Sequence, residues 1–423
     1  MEKVAIIGTG IAGMGCAHFL QKEYTLTLYE QNDYVGGHTN TLAHNEDGTD
    51  VYMDTGFMVF NFETYPNLVK LFNEIKAPIK KTDMSFSVQH IPTKLEYCGS
   101  GLSGLFAQRK NIFNVRYIKM LMQISRFNTE SLRIVDDPAY ANYSLGQYIK
   151  EFGFGDDMLW KYLIPMSSAV WSTPMDKMLD FPVITLIRFF KNHGFLGLNS
   201  QHQWYTLEKG SQSYREILIA PFRNNIRTNC AALKVQRENG KAIITASDGT
   251  IESYDKVIFA CHADQTLKII DSPTSDEKRL LSPFVYQKNV ATVHTDESIM
   301  PKTKSVWSSW NYRIEEQNKK LLPSTIYWMN SLQGVSNRKN YFVSIAAPEG
   351  SIDEKKIIKK IEYEHPLFDV AAINAQRELS LLNSSGPLYY CGSYFKYGFH
   401  EDAFASAVGL CKGLLGDKMK AGW

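Results

Sequence analysis

No run of apolar residues in this chain reaches the roughly 18–20 positions that a membrane-spanning helix needs, so a soluble or at most peripheral protein is expected. Charge of one sign is missing too: 46 lysines and arginines face 44 aspartates and glutamates, a net charge of +2. A nucleic-acid partner is therefore not expected, and no basic patch interleaved with aromatics points to one. Cysteine is sparse. Cys16, Cys98, Cys230, Cys261, Cys391 and Cys411 show no metal-ligand spacing, and Cys16, Cys261 and Cys391 lie in apolar segments. A reduced cytoplasmic chain without a metal is the expectation. Neither a Ser–His–Asp elbow nor a zinc signature occurs, and His18, His193, His202 and His365 read as structural. A signal peptide is not expected, because a glycine motif starts at residue 8. The remaining composition, 44% hydrophobic and 21% charged over 423 residues, is that of a globular protein of two or three domains.

What is present begins at once. Val4-Ala5-Ile6-Ile7 has the pattern of a buried strand, Gly8-Thr9-Gly10-Ile11-Ala12-Gly13 of a glycine turn, and the residues up to Leu20 of a helix. The glycines let the backbone pass close to a pyrophosphate. The helix behind them directs free N–H groups and a partial positive charge at that anion. A second apolar strand, Leu26-Thr27-Leu28-Tyr29, ends at Glu30 and Gln31, about where a carboxylate meets an adenosine ribose hydroxyl. A lone glycine pattern is weak, but strand, turn, helix, strand and acid in this order are specific. Gly36-Gly37-His38-Thr39 and Asp54-Thr55-Gly56-Phe57 add sharp turns that an extended FAD needs and NAD rarely does.

A second anion-facing helix start is read near residue 400. The strand Leu388-Tyr389-Tyr390-Cys391 closes on Gly392, and Gly398-Phe399-His400-Glu401-Asp402-Ala403 runs into a helix from about Glu401. Glu401 and Asp402 also suit a plain helix start. Between the two ends the pattern is mainly helical from Leu105 to about Phe195, and β-rich from Ala242 onward. This implies a discontinuous FAD-binding domain from residues 1–80, 205–268 and 385–423. A substrate domain would take 81–204 and 269–384, with its helical part at about 105–200.

With Ala232-Leu233-Lys234-Val235, Trp307 to Tyr312 and Tyr363-Glu364-His365-Pro366 added, the chain resembles the flavin-containing amine oxidase superfamily over nearly its whole length. The resemblance is closest to a bacterial FAD-binding branch similar to polyunsaturated fatty acid isomerase and, more distantly, to phytoene desaturases and monoamine oxidases. It implies an α/β fold: a Rossmann-like FAD-binding domain of the glutathione-reductase/amine-oxidase type, with an inserted α+β substrate domain. Carried over, Gly8, Gly10, Ile11, Ala12 and Gly13 would hold the pyrophosphate, and Glu30, with Gln31, the adenosine ribose. Gly37, His38 and Thr39 would pass the phosphates and ribityl chain, and Gly56, Phe57 and Met58 would pack beside the flavin. Ala232 would meet adenine and Gly392 the ribityl phosphate. Phe399, His400, Glu401 and Ala403 would lie along the flavin, His400 and Glu401 offering backbone N–H groups to its carbonyls.

Four departures bear on chemistry. His38 stands where many relatives carry arginine, and Ser393-Tyr394 where relatives often place an acid. The lysine that holds a water against flavin N5 in amine oxidases falls at Asn289; Lys288 is adjacent, but on a strand neighbouring side chains face opposite ways. The tyrosine of the amine-binding aromatic cage is Phe399. These departures disfavour amine oxidation.

Asn289, Trp310, Trp328 and Phe399 are the candidate substrate-pocket residues. Two readings stay open for the cluster Trp160, Tyr162, Pro165, Met166, Trp171 and Pro174: the lining of an apolar tunnel, or plain core. Segment Tyr97 to Thr129 holds no acid but carries Arg109, Lys110, Arg116, Lys119 and Arg126. Arg116, Lys119, Gln123 and Arg126 would form one helical stripe beside apolar residues. That pattern suits either a peripheral contact through 105–129 with the inner membrane face or a half-buried core helix.

The resulting expectation is an FAD-dependent oxidoreductase or isomerase acting on a long apolar, unsaturated fatty acyl substrate by hydride transfer to flavin N5. The alternatives are a flavin amine oxidase and a non-catalytic FAD protein that binds lipid or a partner. The resemblance suggests a lipid-modifying methyltransferase as that partner.

Overall fold

The computed structural model describes residues 1–197 and 202–423; the end of the expected helical stretch, 198–200, lies outside the described residues. At its centre is an all-parallel five-stranded sheet. Its spatial order is Ile226–Arg227, Thr25–Tyr29, Lys3–Ile7, Lys256–Phe259, Leu388–Tyr390. A parallel sheet is covered on both faces, so its strands are continuous apolar runs, and Val4, Ala5 and Ile6 are fully buried. One face carries the helices Ile11–Leu20 and His400–Leu415. They cross so closely that a Cβ on Gly15 would come 2.9 Å from the Phe404 ring. The other face packs on an antiparallel meander, Ala232–Glu238, Lys241–Ala246 and Ile251–Tyr254.

The first glycine turn is shaped by this packing. Gly8 has φ +100°, and a Cβ there would come 2.8 Å from the Ala260 carbonyl oxygen. On Gly13 it would come 2.0 Å from the Gly8 carbonyl oxygen. Both positions exclude a side chain for the sake of strand–helix contact alone.

The second layer is a seven-stranded mixed sheet in the order Ile357–Leu367, Val285–His294, Phe342–Ile345, Lys320–Trp328, Trp310–Gln317, Phe86–His90, Leu95–Cys98. Several of these strands escape the sequence pattern, Lys320–Trp328 because it contains Pro323. That proline pairs with Ile314 on one side, while on the other side pairing to Phe342–Ile345 starts only at Thr325. Pro323 thus sits where the strand is locally an edge, the place a sheet tolerates it. Helices Val115–Glu130, Leu145–Glu151, Ile164–Trp171 and Val183–Asn192 pack against this sheet through a core that includes Trp171, Phe181, Trp310 and Tyr312.

The expected boundaries at 80/81 and 204/205 fall inside the strands Ile79–Thr82 and Trp204–Leu207, which pair with each other. The one at 268/269 falls inside the helix Ala263–Ile269. At these points the chain runs through secondary structure rather than through linkers.

Candidate active site

A cavity of about 990 Å³ opens at the carboxyl ends of the parallel strands, where open α/β sheets take their ligands. Four of the five strands deliver the residues that follow them to the wall: Gly8 and Gly10 after Lys3–Ile7, Glu30 and Gln31 after Thr25–Tyr29, Ala260 to His262 after Lys256–Phe259, and Gly392 after Leu388–Tyr390. Ile11 and Ala12 follow as the first helical turn, while Gly13 lies behind the wall. The helix N-cap, Gly10, has no side-chain cap, and a Cβ on Gly10 would meet no protein atom within 4 Å. Unlike Gly8 and Gly13, Gly10 is therefore bare toward the cavity.

Glu30 is tied down on both oxygens. Oε2 accepts from the Thr9 N–H and hydroxyl, and Oε1 from the N–H and amide of Asn32. Gly37, His38, Gly56, Phe57, Met58, Ala232, Phe399, His400 and Ala403 also reach the wall. Thr39 does not: it is fully buried, with its hydroxyl 2.6 Å from the Tyr214 hydroxyl and 3.2 Å from His400 Nε2. Glu401 turns away as well. Its carboxylate accepts from the N–H groups of Asn67 and Leu68 and so caps the helix Pro66–Glu74, whose N-terminal partial charge attracts an anion.

Of the proposed substrate residues, Trp310 and Phe399 line the cavity and Asn289 and Trp328 do not. Strand alternation explains Trp328: its neighbour Tyr327, the register partner of Trp310, takes the cavity face. Trp328 instead packs edge-on to Trp307 at 5.4 Å and donates to the Asn340 side chain. Lys288 reaches the wall with its register partner Glu364. Asn289 lies one layer behind, where its amide donates to the Ser172 carbonyl at 3.3 Å and to His365 Nδ1 at 3.0 Å. That makes Nδ1 the acceptor and leaves the neutral His365 ring protonated on Nε2.

Burial holds the wall's histidines neutral: His365 and His193 are pushed down to about 4, His400 to about 3. His38, well below its ordinary value for the same reason, stacks on Tyr363 and keeps a buried Nε2 without a partner among the described residues. It offers no charge to a phosphate. His193 was read from sequence as structural, yet it lines the cavity, with Nδ1 2.9 Å from the Phe189 carbonyl. Phe189 stacks on Phe399 at 4.9 Å, with Trp171 6.2 Å from Phe399 and Phe195 6.3 Å from Phe189. Of the ambiguous tunnel cluster, Trp171 alone reaches the wall. Phe189 carried no signal, since an apolar helix face looks the same against a core as against a cavity, and Phe195 follows that helix in the chain.

Comparison with known proteins identifies this architecture. Residues 11–340 match the family model described as flavin containing amine oxidoreductase. The chain belongs to that family. This oxidoreductase is similar in fold to a putrescine oxidase bound to putrescine (TM-score 0.68, 12% identity, 98% of both chains). It is likewise similar to the CLA-producing fatty acid isomerase from P. acnes (TM-score 0.67, 14% identity, 97% of this chain and 98% of the other). The 15-cis-phytoene desaturase of Synechococcus elongatus (strain ATCC 33912 / PCC 7942 / FACHB-805) is 39% identical over 74 residues, 17% of this chain and 15% of the desaturase. Membership makes the protein an FAD-dependent enzyme. Its cavity fits that cofactor: an uncapped helix N-terminus, the bare Gly10 and a His38 Nε2 without a partner among the described residues border one space of about 990 Å³.

Proposed function

We propose that this flavin oxidoreductase desaturates or isomerises a long apolar acyl chain. The observation that carries the reading is the distribution of charge around the cavity. Its ionisable acids and lysines are Glu30, Lys268, Lys288, Glu362 and Glu364. They lie beside the parallel sheet, on the helix Ala263–Ile269 and on the paired strands Val285–His294 and Ile357–Leu367. Phe399 itself is flanked on the wall by Phe189, Trp171 and the neutral His193, and the other large apolar lining residues, Phe195, Trp204, Trp310, Tyr327, Met84 and Val170, add no carboxylate and no ammonium. An alkylammonium entering there would lose its hydration without meeting an anion, whereas an acyl chain gains by burial.

Bound FAD supplies a hydride acceptor. The residues of this chain supply the rest: they orient the acyl chain against that wall, exclude water, and fix the protons of nearby rings, as Asn289 does for His365. Relatives whose names include a fatty acid isomerase and a phytoene desaturase are in keeping with such a substrate; a putrescine oxidase among the structural neighbours is the competing precedent. Anaerobic mixing of the yellow protein with unsaturated acyl lipids and, separately, with alkyl and aryl amines discriminates the two. Bleaching of the flavin by lipid alone, or double-bond migration without net bleaching, is expected. Bleaching by amines with lipids inert would replace this reading with amine oxidation, and inertness to both would leave a flavoprotein that binds without turning over.

A further inference from the structure

Away from the active site, the helix Val115–Glu130 and the turn before it build a second, smaller cavity of about 370 Å³. Its lining includes four cations, Lys94, Lys110, Arg116 and Lys161, and one acid, Asp157. Asp157 is taken up by Arg116 and Lys161. Lys94 and Lys110 are exposed and have no ion pair among the described residues. Asn111, Asn114 and Gln108 add amide groups to the same wall. This is a polar recess with a surplus of positive charge, the chemistry that receives a phosphate.

Its rim carries exposed apolar side chains. Phe113, 87% exposed, and Val115, 81%, are the most exposed large apolar side chains among the described residues, with Leu102 and Met122 close behind. Two further cations, Arg109 and Lys119, are exposed beside them. The helix does not present the stripe expected from its sequence: Gln123 accepts from the Gly155 N–H, and Arg126 pairs with Glu130 and donates to the Phe152 carbonyl. The free cations collect instead at the N-terminal end of the helix, around the recess and beside the protruding Phe113 and Val115.

We infer that this face docks on a membrane of anionic phospholipid, with a headgroup phosphate in the Lys94–Lys110–Arg116–Lys161 recess and Phe113 and Val115 in the acyl boundary. Protruding rings flanked by lysines bind the interface with both forces at once: apolar burial holds the side chains, and the negative surface potential holds the cations. A soluble phosphate-bearing ligand would use the recess but leave Phe113 and Val115 in water. The inference stands apart from the acyl-chain reading, because vesicle binding is measured without turnover.

The test is sedimentation of the FAD-loaded protein with vesicles of phosphatidylglycerol and phosphatidylcholine, and with phosphatidylcholine alone. Binding to the anionic vesicles is expected. It should be lost at about 1 M salt, where the Debye length is about 3 Å. The double variant Lys94→Glu/Lys110→Glu should lower it about tenfold or more, and Phe113→Ser/Val115→Ser should weaken it at low salt, both with undiminished flavin. Equal binding to neutral vesicles, or none to anionic ones, would overturn the inference. Thermal stabilisation by inorganic phosphate that the Lys94→Glu/Lys110→Glu variant loses, without vesicle binding, would overturn it in favour of a soluble phosphate ligand.

Discussion

The two ends of the large cavity are built from different materials. At the Gly8–Gly13 end the wall is largely backbone: glycines, an uncapped helix and strand termini, with Glu30 locked to Thr9 and Asn32. At the Phe399 end it is side chain: stacked rings from helices and sheet strands far apart in sequence. A backbone wall recognises what every family member binds and tolerates little substitution. A side-chain wall can be re-cut residue by residue without disturbing the first, and that is where one fold comes to host different substrates.

The largest test of that division is Gly10→Val. Its Cβ would meet no protein atom within 4 Å, so the chain should fold, but the branched side chain would stand in the ligand's space. Colourless, folded protein by absorbance and circular dichroism is the expected result; yellow protein would show that the backbone end is not where FAD is held. Next comes Val170→Trp, which places an indole in the aromatic end. Flavin content should hold while acyl-driven flavin reduction falls about tenfold or more; equal loss of flavin would show the two ends to be one unit.

Glu30→Ala should weaken FAD binding by about 1–3 kcal/mol, read by flavin retention on dialysis. The loss includes the freed Thr9 and Asn32 donors as well as any ribose contact. A pH titration of the melting temperature addresses the histidines. His18, His38, His90, His193, His262, His294, His365 and His400 are all shifted down by burial. The unfolded chain therefore takes up protons that the folded one refuses. This stability is present above about pH 6.5 and is lost as pH falls toward about 4. Asp54, Glu401 and Asp402, shifted up by burial, act in the opposite sense but are fewer. Melting should be lower at about pH 5 than at about pH 7.5, and a flat profile would contradict the burial of these rings. The smallest effect is expected for Lys288→Met: the lysine lines the wall with its register partner Glu364 and is not one of the aromatic lining residues, so acyl-driven reduction should change little. A collapse of amine-driven reduction in that variant would move the chemistry to its side of the strand.

The same contrast sets how much of the site was legible in the sequence. The backbone end announces itself because glycine, the following helix and the strand-end acid are contiguous, and their spacing is their geometry. Gly8, Gly10, Glu30 and Gly392 all line the cavity. The side chains of Thr39 and Glu401 turn from the wall because a motif fixes the backbone but not what a side chain finds: Thr39 meets Tyr214, and the Glu401 carboxylate meets the N-terminus of a helix starting at Pro66. The aromatic end could not be read, since Phe189 and Trp171 join Phe399 only through tertiary packing. Trp328 and Tyr327 show the limit sharply, because one position of strand phase decides which faces the cavity, and nothing local in the sequence fixes that phase.

The spatial order of the parallel sheet also governs when the protein can become an enzyme. The strands Lys3–Ile7 and Thr25–Tyr29 are made first, but their neighbours arrive with residues 256–259 and 226–227, the edge strand with 388–390, and the helix that closes over residues 11–20 only with residues 400–415. A ribosome-bound chain lacking those residues has the glycine turn but neither Gly392 nor His400 to complete the cavity. A cavity complete enough to hold the cofactor therefore waits for residues 388–415, so the shorter nascent chain has to be kept from aggregating without help from its ligand.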